Sequence, residues 1–330
     1  MLARSTMKVL YVLVSSESDY YYEQALLSVL SLKNVMPTSQ ISMLVDDVTD
    51  KNLVGNRSKI KEYIDEYKVV DLDESMSPMI RSRFLKTSMR NLIDGDFLYV
   101  DTDTIWIKPL NESDFTENLM AADDAFCDFE EHPNRDMFIE RIRQIDENVL
   151  AQRMINGGVM YVEDVDATRL FFKEWHCNWL KSKEKGVFTD QESLEITRQK
   201  YPLLLKNLPV SYNAQMPLNL GNVNEANLIH YFASSFGSHI PHDFYRESFW
   251  KLVRSKTKTE DLLEFTKNPM RYFEKFPFRK CVSDEQFLFL QNDLTGFLFD
   301  LSRSKKKAAR LLVCCMEKGC RMICSMYRKK

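Results

Sequence analysis

Two carboxylates at the end of an apolar run are the residues of this chain best suited to chemistry. Residues 97–100 predict a buried strand, and Asp101 and Asp103 follow it before a second apolar run begins. In an extended chain, residues two apart point to the same side, so the two carboxylates would project together. Carboxylates aimed at one point repel each other unless a hard divalent cation lies between them. We therefore expect a metal site here, one able to hold the diphosphate of a nucleotide.

The Asp-x-Asp pattern is weak by itself, because the chain contains four copies. They are Asp71/Asp73, Asp94/Asp96, Asp101/Asp103 and Asp164/Asp166. The pair that flanks Gly95 predicts a turn before the next strand, and the last pair predicts a cap for a helix from Ala167. The first pair also follows an apolar stretch, but no second apolar run continues after it. Context therefore favours the third pair as the metal site.

Apolar stretches and helical periodicities alternate along the first 200 residues. The predicted strands are residues 9–14, 41–45, 69–72, 97–100 and 158–163. The predicted helices are residues 20–32, 57–66, 79–93, 135–154, 167–183 and 191–200, and helix returns from about residue 243 after Pro- and Asn-rich loops. This order predicts an α/β fold with a mostly parallel central sheet, in which ligands bind at the carboxyl ends of the strands.

Composition indicates a folded protein rather than a disordered or membrane-spanning one. The 330 residues are 44% hydrophobic and 28% charged, and no apolar run approaches the length of a membrane span. MKVLYVLV, residues 7–14, lacks the cleavage site of a signal peptide and predicts the first strand, with a non-structural leader before Met7. Without a secretion signal, we expect the seven Cys to be reduced thiols in a cytoplasmic protein.

The overall charge of −3 hides an asymmetry between the C-terminal tail and the rest of the chain. Residues 303–330 carry ten Lys and Arg against one acid, Glu317, so the tail is +9 and the rest is −12. Apolar tail residues recur near helical spacing: Leu311, Leu312, Cys315, Met322, Ile323 and Met326. A basic amphipathic helix is typical of segments that bind membrane surfaces, and a terminal helix packed on its own domain is the alternative. Four tail cysteines lack a nearby His and regular spacing, so no zinc site is expected.

Common phosphate-binding motifs are missing from the sequence. The chain has nine Gly and none before Gly55, so the first strand cannot lead into a dinucleotide-binding glycine turn. There is no P-loop lysine motif and no nucleophile-elbow serine. A nucleotide would need a cation rather than glycine amides to neutralise its phosphates, which agrees with the expected metal site.

Four segments, taken in order, resemble the signatures of glycosyltransferase family 8. They are FLYVDTDTIWIKPL (97–110), INGGVMYV (155–162), TDQESL (189–194) and LIHYF (228–232), within a resemblance over roughly residues 7–240. The resemblance implies a GT-A fold and retaining transfer from a nucleotide sugar, and many bacterial members act in lipopolysaccharide or capsule assembly. We expect a GT-A catalytic domain at residues 1–242, and the sequence pattern and charge predict a helical extension at 243–302 and the basic tail at 303–330.

The resemblance also implies roles for individual residues. The ligands of Mn²⁺ or Mg²⁺ would be Asp101, Asp103 and His230, and the catalytic candidates are Asp190 and Gln191. The donor-binding candidates are Ser15, Tyr20, Arg83, Lys86, Asp101, Thr102, Asn156 and Gly157. Structural alternatives are a core histidine at residue 230, a tight turn at residues 156–158 and a helix cap at residue 190.

The chain departs from the family pattern in two places. After the histidine, family members commonly carry a lysine that meets the diphosphate, whereas this chain reads HYFASSFGSHIP. Arg83 lies one position off the family's arginine, with Lys86 close by. The source of positive charge at the diphosphate is therefore left open.

The implied chemistry is Lewis-acid stabilisation of a departing diphosphate, with the acceptor hydroxyl attacking the sugar from the same face. Retention could proceed by front-side attack or through a covalent intermediate on Gln191 or Asp190. The expected partners are a UDP-linked sugar, a glycan or lipid-linked acceptor and the inner face of the cell membrane, with no nucleic acid. Two other classes stay open: a sugar-phosphate nucleotidyltransferase, although SSESDYYYEQ lacks its Gly- and Arg-rich loop, and a catalytically idle nucleotide-sugar-binding protein.

Overall fold

Seven strands form the central sheet of residues 1–278, the larger of two compact units; the smaller unit is residues 279–330. The computed structural model describes residues 7–218, 220–232, 242–269, 294, 297, 298, 301 and 307–327. The leader predicted before Met7 lies outside these residues, as does most of the segment from 270 to 302.

The described residues contain ten strands in two sheets. They are β1 (Lys8–Leu13), β2 (Ile41–Asp46), β3 (Glu66–Val70), β4 (Phe97–Val100), β5 (Thr104–Trp106), β6 (Leu119–Asp123), β7 (Ile155–Val162), β8 (Leu205–Asn207), β9 (Ala214–Gln215) and β10 (Leu228–His230). The large sheet has the order β3-β2-β1-β4-β7-β6-β8, and the small sheet has the order β5-β10-β9. Neighbours in the large sheet are parallel except that β7 runs antiparallel to both β4 and β6. The predicted α/β fold with a mostly parallel sheet is therefore confirmed.

Helices cover both faces of the large sheet. They are α1 (Tyr21–Val35), α2 (Asp47–Asn52), α3 (Pro78–Leu92), α4 (Arg135–Ile145), α5 (Asp166–Glu184), α6 (Gln191–Lys200), α7 (Glu247–Arg254) and α8 (Thr259–Glu264). Helix α3 shows how local sequence sets a boundary, because Ser77 accepts a hydrogen bond from the Ile80 N–H and Pro78 occupies the first turn.

Alternation along the strands divides the core between the two faces. Val9, Tyr11 and Leu13 of β1 pack on one face with α1 and the small sheet, whereas Leu10 and Val12 pack on the other with α3 and α5. On the second face, α5 contributes an apolar stripe at helical spacing: Phe171, Phe172 and Trp175. Because both faces are covered at the centre of the sheet, β1 after Lys8 and all of β4 are apolar and buried, and the polar residues Asp101 and Asp103 follow the end of β4.

Several predicted boundaries were wrong. The helix predicted at 57–66 is a 3-10 helix, Gly55–Tyr63, and the strand predicted at 69–72 is β3, which starts earlier. The helix predicted at 135–154 ends at Ile145, because Asp146 accepts a hydrogen bond from the Asn148 N–H at 3.0 Å and turns the chain. The strand predicted at 158–163 is β7, which begins three residues earlier and carries the glycines inside the sheet.

The competing aspartate pairs occupy turns. Gly95 has a φ of +77°, as expected for the turn before β4, and its N–H donates to Asp164 at 2.6 Å. Asp164 also forms an ion pair with Arg169 at 2.7 Å, so it holds a turn rather than capping α5, which was the prediction. Asp73 accepts a hydrogen bond from the Ser75 N–H at 2.9 Å, which is also a turn contact. Among the residues that the structure describes, the third pair, Asp101 and Asp103, is the one that lies with a further candidate metal ligand, His230.

The chain after residue 242 continues the core of the larger unit. Phe244, Phe249, Trp250 and Val253 are buried and belong to the cluster that covers the α1 face. The boundaries predicted at residues 242 and 302 stay predictions. In the smaller unit, residues Lys307–Tyr327 form a helix, which we call the tail helix. Among the described residues, no helix has the length and apolar character required to cross a membrane.

Candidate active site

Three candidate metal ligands meet where the two sheets join. Asp101 and Asp103 lie in the three-residue connection between β4 of the large sheet and β5 of the small sheet. Strand β10 pairs antiparallel with β5 so that His230 lies opposite Thr104, and the Tyr231 N–H donates to the Asp103 carbonyl at 3.1 Å. Backbone pairing thereby places His230 beside Thr104, although the two residues are 126 positions apart in the sequence.

The side chains of these three residues converge. His230 Nε2 lies 3.3 Å from Asp103 Oδ1 and 3.9 Å from Asp101 Oδ2, and the three candidate ligand atoms lie within 4.8 Å of one another. His230 is buried, whereas the two carboxylates are partly accessible. Two carboxylates and one imidazole form a mixed oxygen and nitrogen donor set, which suits Mn²⁺ better than Ca²⁺. The residues present therefore fit the divalent cation that the sequence predicts.

Asp101 is oriented by two direct contacts. The Tyr99 hydroxyl donates to Asp101 Oδ1, and burial raises the pKa of Tyr99 well above its ordinary value, so this phenol remains a donor. The Asp101 N–H donates to the Gly158 carbonyl at 2.7 Å, which ties the connection to β7. The carboxylate is thus held from the side chain and from the backbone.

A line of hydroxyl groups supports the backbone at the same place. Trp106 Nε1 donates to the Tyr11 hydroxyl at 3.1 Å, and Tyr11, Ser28 and Thr104 are joined at 3.0 and 2.7 Å. Thr104 ends the line by donating to the Asp101 carbonyl at 2.9 Å. Because the Asp101 carbonyl can only accept, Thr104 donates to it, Ser28 donates to Thr104 and Tyr11 donates to Ser28, so every hydroxyl in the line has a defined direction. The line therefore fixes the position of the Asp101 carbonyl, at the start of the connection that carries Asp103.

Gly158 occupies a position that admits no side chain. A Cβ atom there would lie 2.2 Å from His230 Cε1 and 2.8 Å from Asp101 Oδ2. The backbone of β7 thus forms the floor of the ligand cluster, and the alternative of a tight turn at residues 156–158 is wrong because all three lie within β7.

A buried group of charges adjoins the cluster. Asp190 Oδ1 lies 2.8 Å from Arg83 Nε, and Asp190 Oδ2 lies 3.1 Å from Lys86 Nζ, which is also 3.6 Å from Asp101 Oδ1. Burial alone would raise the pKa of Asp190, but the charges of Arg83 and Lys86 outweigh it and lower that pKa to about 2. Asp190 is therefore ionised near neutral pH, and α3 places two positive charges beside the candidate metal ligands. Asp190 makes no side-chain cap of α6, so the capping alternative is wrong.

The remaining candidates near the cluster are Asn156 and Gly157 of β7, Gln191 of α6 and Thr102, and each has different contacts. Both ends of the buried Asn156 amide bond to protein groups, with Nδ2 donating to Asp124 Oδ1 at 2.7 Å. Gly157 faces the charged group, because a Cβ there would lie 3.6 Å from Asp190 Oδ2 and from Lys86 Nζ. Gln191 Nε2 donates to the Ile155 carbonyl at 3.2 Å. Thr102 lies between the two carboxylates and is partly exposed.

The loop after β1 contains the donor-binding candidates Ser15 and Tyr20, whose roles stay predictions. Ser15 Oγ donates to Asp19 at 2.6 Å and accepts from Arg57 at 2.9 Å, so this hydroxyl organises the loop. The Tyr20 ring lies against the guanidinium of Arg254 at 4.3 Å. Burial, followed by the charge of Asp103, raises the pKa of the neighbouring Tyr21. The Tyr21 hydroxyl is thus near enough to Asp103 for the charge of that carboxylate to raise its pKa.

Sequence reasoning missed residues that support the ligands without being ligands. These include Tyr99, Asp124, Asn213 and the second glycine of Gly157-Gly158. Tyr99 could have been found from its i, i+2 spacing to Asp101 on a strand. Asp124 and Asn213 carry no comparable signal, because they are far from the motifs in sequence. The segment that departs from the family pattern after Phe232 lies outside the described residues.

We expect His230→Ala to weaken binding of Mn²⁺ while leaving the fold intact. The imidazole contributes one of three ligands, and its removal leaves two carboxylates that coordinate the cation less completely. Mn²⁺ titration followed by electron paramagnetic resonance measures the change. His176→Ala is the matched control, because His176 bonds to Thr87 between α3 and α5 and should not affect the cation. Unchanged Mn²⁺ affinity in folded His230→Ala would return His230 to the role of a core histidine.

Comparison with protein families gives the class of protein to which the site is similar. Residues 81–213 match the family model described as nucleotide-diphospho-sugar transferase, a span of less than half of the chain. It includes two of the candidate metal ligands and the buried charge group, whereas His230 lies beyond it. The match and the mostly parallel sheet agree with the GT-A fold predicted from the sequence, while family 8 in particular stays a prediction.

Individual similar proteins were found only among solved structures, since no curated protein sequence matched. Mouse xyloside xylosyltransferase 1 in its apo form has 13% identity and a TM-score of 0.45, covering 69% of this chain and 98% of its own. The galactosyltransferase LgtC, solved with donor and acceptor sugar analogues, has 14% identity and a TM-score of 0.48, covering 76% and 97%. The glycosyltransferase GlyE of Streptococcus pneumoniae has 16% identity and a TM-score of 0.45, covering 78% and 63%.

Proposed function

We propose that this chain is a metal-dependent retaining glycosyltransferase of family 8 that moves a hexose from a UDP-sugar to a glycan or lipid-linked acceptor. The observation that carries the proposal is the convergence of Asp101, Asp103 and His230 beside the buried charges of Lys86 and Asp190. The match of residues 81–213 to nucleotide-diphospho-sugar transferases supports the same reaction class.

The three ligands would hold Mn²⁺, or Mg²⁺ in its place. A bound divalent cation supplies Lewis-acid stabilisation of the negative charge that develops on a departing diphosphate. Arg83 and Lys86 add fixed positive charge next to Asp101, and they supply it without the lysine that family members carry after the histidine. Such preorganised charges stabilise a leaving group without a reorganisation cost at the moment of reaction.

The charge group also bears on how configuration is retained. Both oxygens of Asp190 lie in ion pairs, one with Arg83 and one with Lys86. A covalent glycosyl intermediate on Asp190 would remove its negative charge and leave the partly exposed Arg83 without its carboxylate and the buried Lys86 with only Asp101, which is costly. We therefore favour front-side attack by the acceptor hydroxyl over a covalent intermediate on Asp190, with Asp190 holding Arg83 and Lys86 in place and Gln191 at the start of α6 lining the sugar site.

A screen of nucleotide sugars by thermal shift tests the donor assignment. Ligands that bind the folded state raise the unfolding temperature, so the cognate donor should stabilise the protein when Mn²⁺ is present and much less when chelator is present. UDP-hexoses are expected to give the largest shifts, and GDP- and CMP-linked sugars serve as controls. Equal shifts from all nucleotide sugars, or shifts independent of Mn²⁺, would contradict the proposal.

We further propose that the tail helix attaches the protein to the inner face of the cell membrane, where surface polysaccharide precursors are lipid-linked. Four of its apolar side chains are exposed: Leu311, Leu312, Met316 and Met322. Two exposed basic residues of the same helix, Lys307 and Lys318, accompany them. Exposed apolar side chains beside basic ones favour binding to an anionic lipid surface.

Deleting residues 303–330 should release the protein from anionic vesicles without abolishing hydrolysis of the donor. Each Lys or Arg near such a surface contributes about 1 kcal/mol, and salt screens this attraction. Vesicle co-sedimentation at low and high salt measures the attachment. A control with Lys173→Glu and Lys185→Glu reverses two exposed lysines of the larger unit and should sediment normally. Co-sedimentation unaffected by both the deletion and salt would assign the tail helix to packing instead.

A further inference from the structure

Five buried side chains form a hydrogen-bonded line that ends at His230. They are His132, Asp124, Asn156, Asn213 and His230, and none is more than 6% exposed. The consecutive distances are 3.1 Å from His132 Nε2 to Asp124 Oδ2, 2.7 Å from Asn156 Nδ2 to Asp124 Oδ1, 3.0 Å from Asn213 Nδ2 to Asn156 Oδ1, and 3.0 Å from His230 Nδ1 to Asn213 Oδ1. We call this line the His230 relay.

Groups that can only donate, or only accept, a hydrogen bond determine which atom of each side chain in the His230 relay is the donor. The Asn134 N–H donates to His132 Nδ1 at 3.1 Å, so a neutral His132 carries its proton on Nε2 and donates it to Asp124. An ionised Asp124 can only accept, which makes the atom of Asn156 that faces it the amide nitrogen. The Gly158 N–H donates to the other end of that amide at 3.0 Å, which confirms that this end is the oxygen.

These assignments leave one arrangement for the rest of the relay. Since the Asn156 oxygen accepts, Asn213 must present its nitrogen to Asn156 and its oxygen to His230. The Asn213 oxygen can only accept, so His230 carries a proton on Nδ1. His230 Nε2 is the atom that faces Asp103 at 3.3 Å. The relay therefore leaves Nε2 available as a metal ligand.

Backbone pairing holds Asn213 in position to do this. Asn213 directly precedes β9, which pairs parallel with β10 so that His230 lies opposite Gln215. Gln215 also accepts from the Ala125 N–H at 2.7 Å and donates to the Asp123 carbonyl at 2.9 Å, which clamps the segment that carries Asp124. The segments that carry Asp124 and His230 are thus attached to the same short strand, β9.

We propose that Asn213 is a positioning residue that keeps His230 in the tautomer protonated on Nδ1, with Nε2 directed to the divalent cation. This inference rests on the metal centre of the proposed function. Groups that bond to the far nitrogen of a ligating histidine fix its orientation and tautomer, and their loss typically lowers metal affinity about 10-fold to 100-fold.

Two substitutions at residue 213, each tested by Mn²⁺ titration in the absence of nucleotide sugar, separate positioning from packing. Asn213→Leu keeps the volume but removes the acceptor, and should weaken Mn²⁺ binding about 10-fold or more. Asn213→Asp keeps the acceptor that faces His230, although it removes the donor to the Asn156 oxygen, and should bind Mn²⁺ more tightly than Asn213→Leu. Asn178→Leu is the matched control, because Asn178 is another buried asparagine, bonded to Thr197 at 3.0 Å between α5 and α6.

Histidine ¹⁵N NMR of the metal-free protein at mildly alkaline pH gives a readout that packing alone would not move. His230 should be protonated on Nδ1 in the unmodified protein and in Asn213→Asp, whereas in Asn213→Leu the proton should move to Nε2, beside Asp103. The proposal is overturned if Asn213→Leu binds Mn²⁺ normally, if Asn213→Asp is as weak as Asn213→Leu, or if His230 is protonated on Nε2 in the unmodified protein. Should Asn213→Leu not fold, Asn213→Asp and the NMR assignment decide. An unmodified protein that binds no Mn²⁺ would instead refute the metal centre itself.

Discussion

Asp101→Asn and Asp103→Asn are each expected to lower the rate of sugar transfer by about 10²-fold or more, because each removes a charged ligand from the centre that stabilises the departing diphosphate. The two carboxylates and His230 hold their candidate ligand atoms within 4.8 Å of one another, and an amide oxygen is a neutral and weaker ligand. Initial rates at several Mn²⁺ concentrations measure the loss. Raising the Mn²⁺ concentration should restore only part of the activity.

Asp71→Asn provides the matched control for these two variants. Asp71 belongs to a rival Asp-x-Asp pair, is exposed, and lies in the loop after β3. Its substitution should leave the rate and the Mn²⁺ dependence unchanged. Full turnover by either Asp101→Asn or Asp103→Asn would show that the pair does not carry the chemistry.

Gly158→Ala is expected to lower the rate of sugar transfer by a similar factor, although it removes no functional group. The new methyl carbon would lie 2.2 Å from His230 Cε1 and 2.8 Å from Asp101 Oδ2, so both ligands must move apart. Displacements of about 1 Å at a reacting centre can cost about 10²-fold in rate. Mn²⁺ affinity and donor hydrolysis should fall together, and circular dichroism establishes whether the fold is retained.

Two other glycine-to-alanine changes show whether the effect is local. Gly157→Ala places its methyl carbon 3.6 Å from Lys86 and Asp190, an ordinary contact, so Mn²⁺ binding should be retained. Gly319→Ala, in the tail helix with no neighbour within 4 Å, should leave both Mn²⁺ binding and hydrolysis unchanged. Normal Mn²⁺ binding by Gly158→Ala would mean that the cluster tolerates a wider arrangement than the structure has.

The parts of the fold that were predictable are those where one physical pattern dominates. Strand β4 is four consecutive buried apolar residues followed by charge, and α3 has a serine cap and a proline in its first turn. The segment Gly55–Tyr63 was mistaken for an α-helix. It is polar and has a single buried side chain, Ile60, so no repeat of apolar residues distinguishes an α-helix from a 3-10 helix. The small sheet was not predicted, since its strands are two or three residues long.

The residues of the candidate site also divide into those that the sequence indicates and those that it does not. Asp101 and Asp103 were found because their carboxylates adjoin a strand end, and His230 was found through the family resemblance rather than through its own surroundings. Asn213, Asp124 and Gly158 act through contacts with residues distant in sequence, and such contacts leave no local pattern. The choice of Tyr20 as the donor-binding tyrosine stays a prediction, because three adjacent tyrosines cannot be separated without knowing where α1 begins, which is at Tyr21.

Release of UDP from a UDP-hexose, measured with Mn²⁺ and again with excess chelator, tests the central claim most directly. Water can replace the acceptor in this assay, so no acceptor needs to be known. We predict UDP release that depends on Mn²⁺ and is lost when the cation is chelated. Equal release with and without Mn²⁺ would contradict the role assigned to Asp101, Asp103 and His230. Tight binding of the UDP-hexose with no release under any metal condition would identify a nucleotide-sugar-binding protein instead of a transferase.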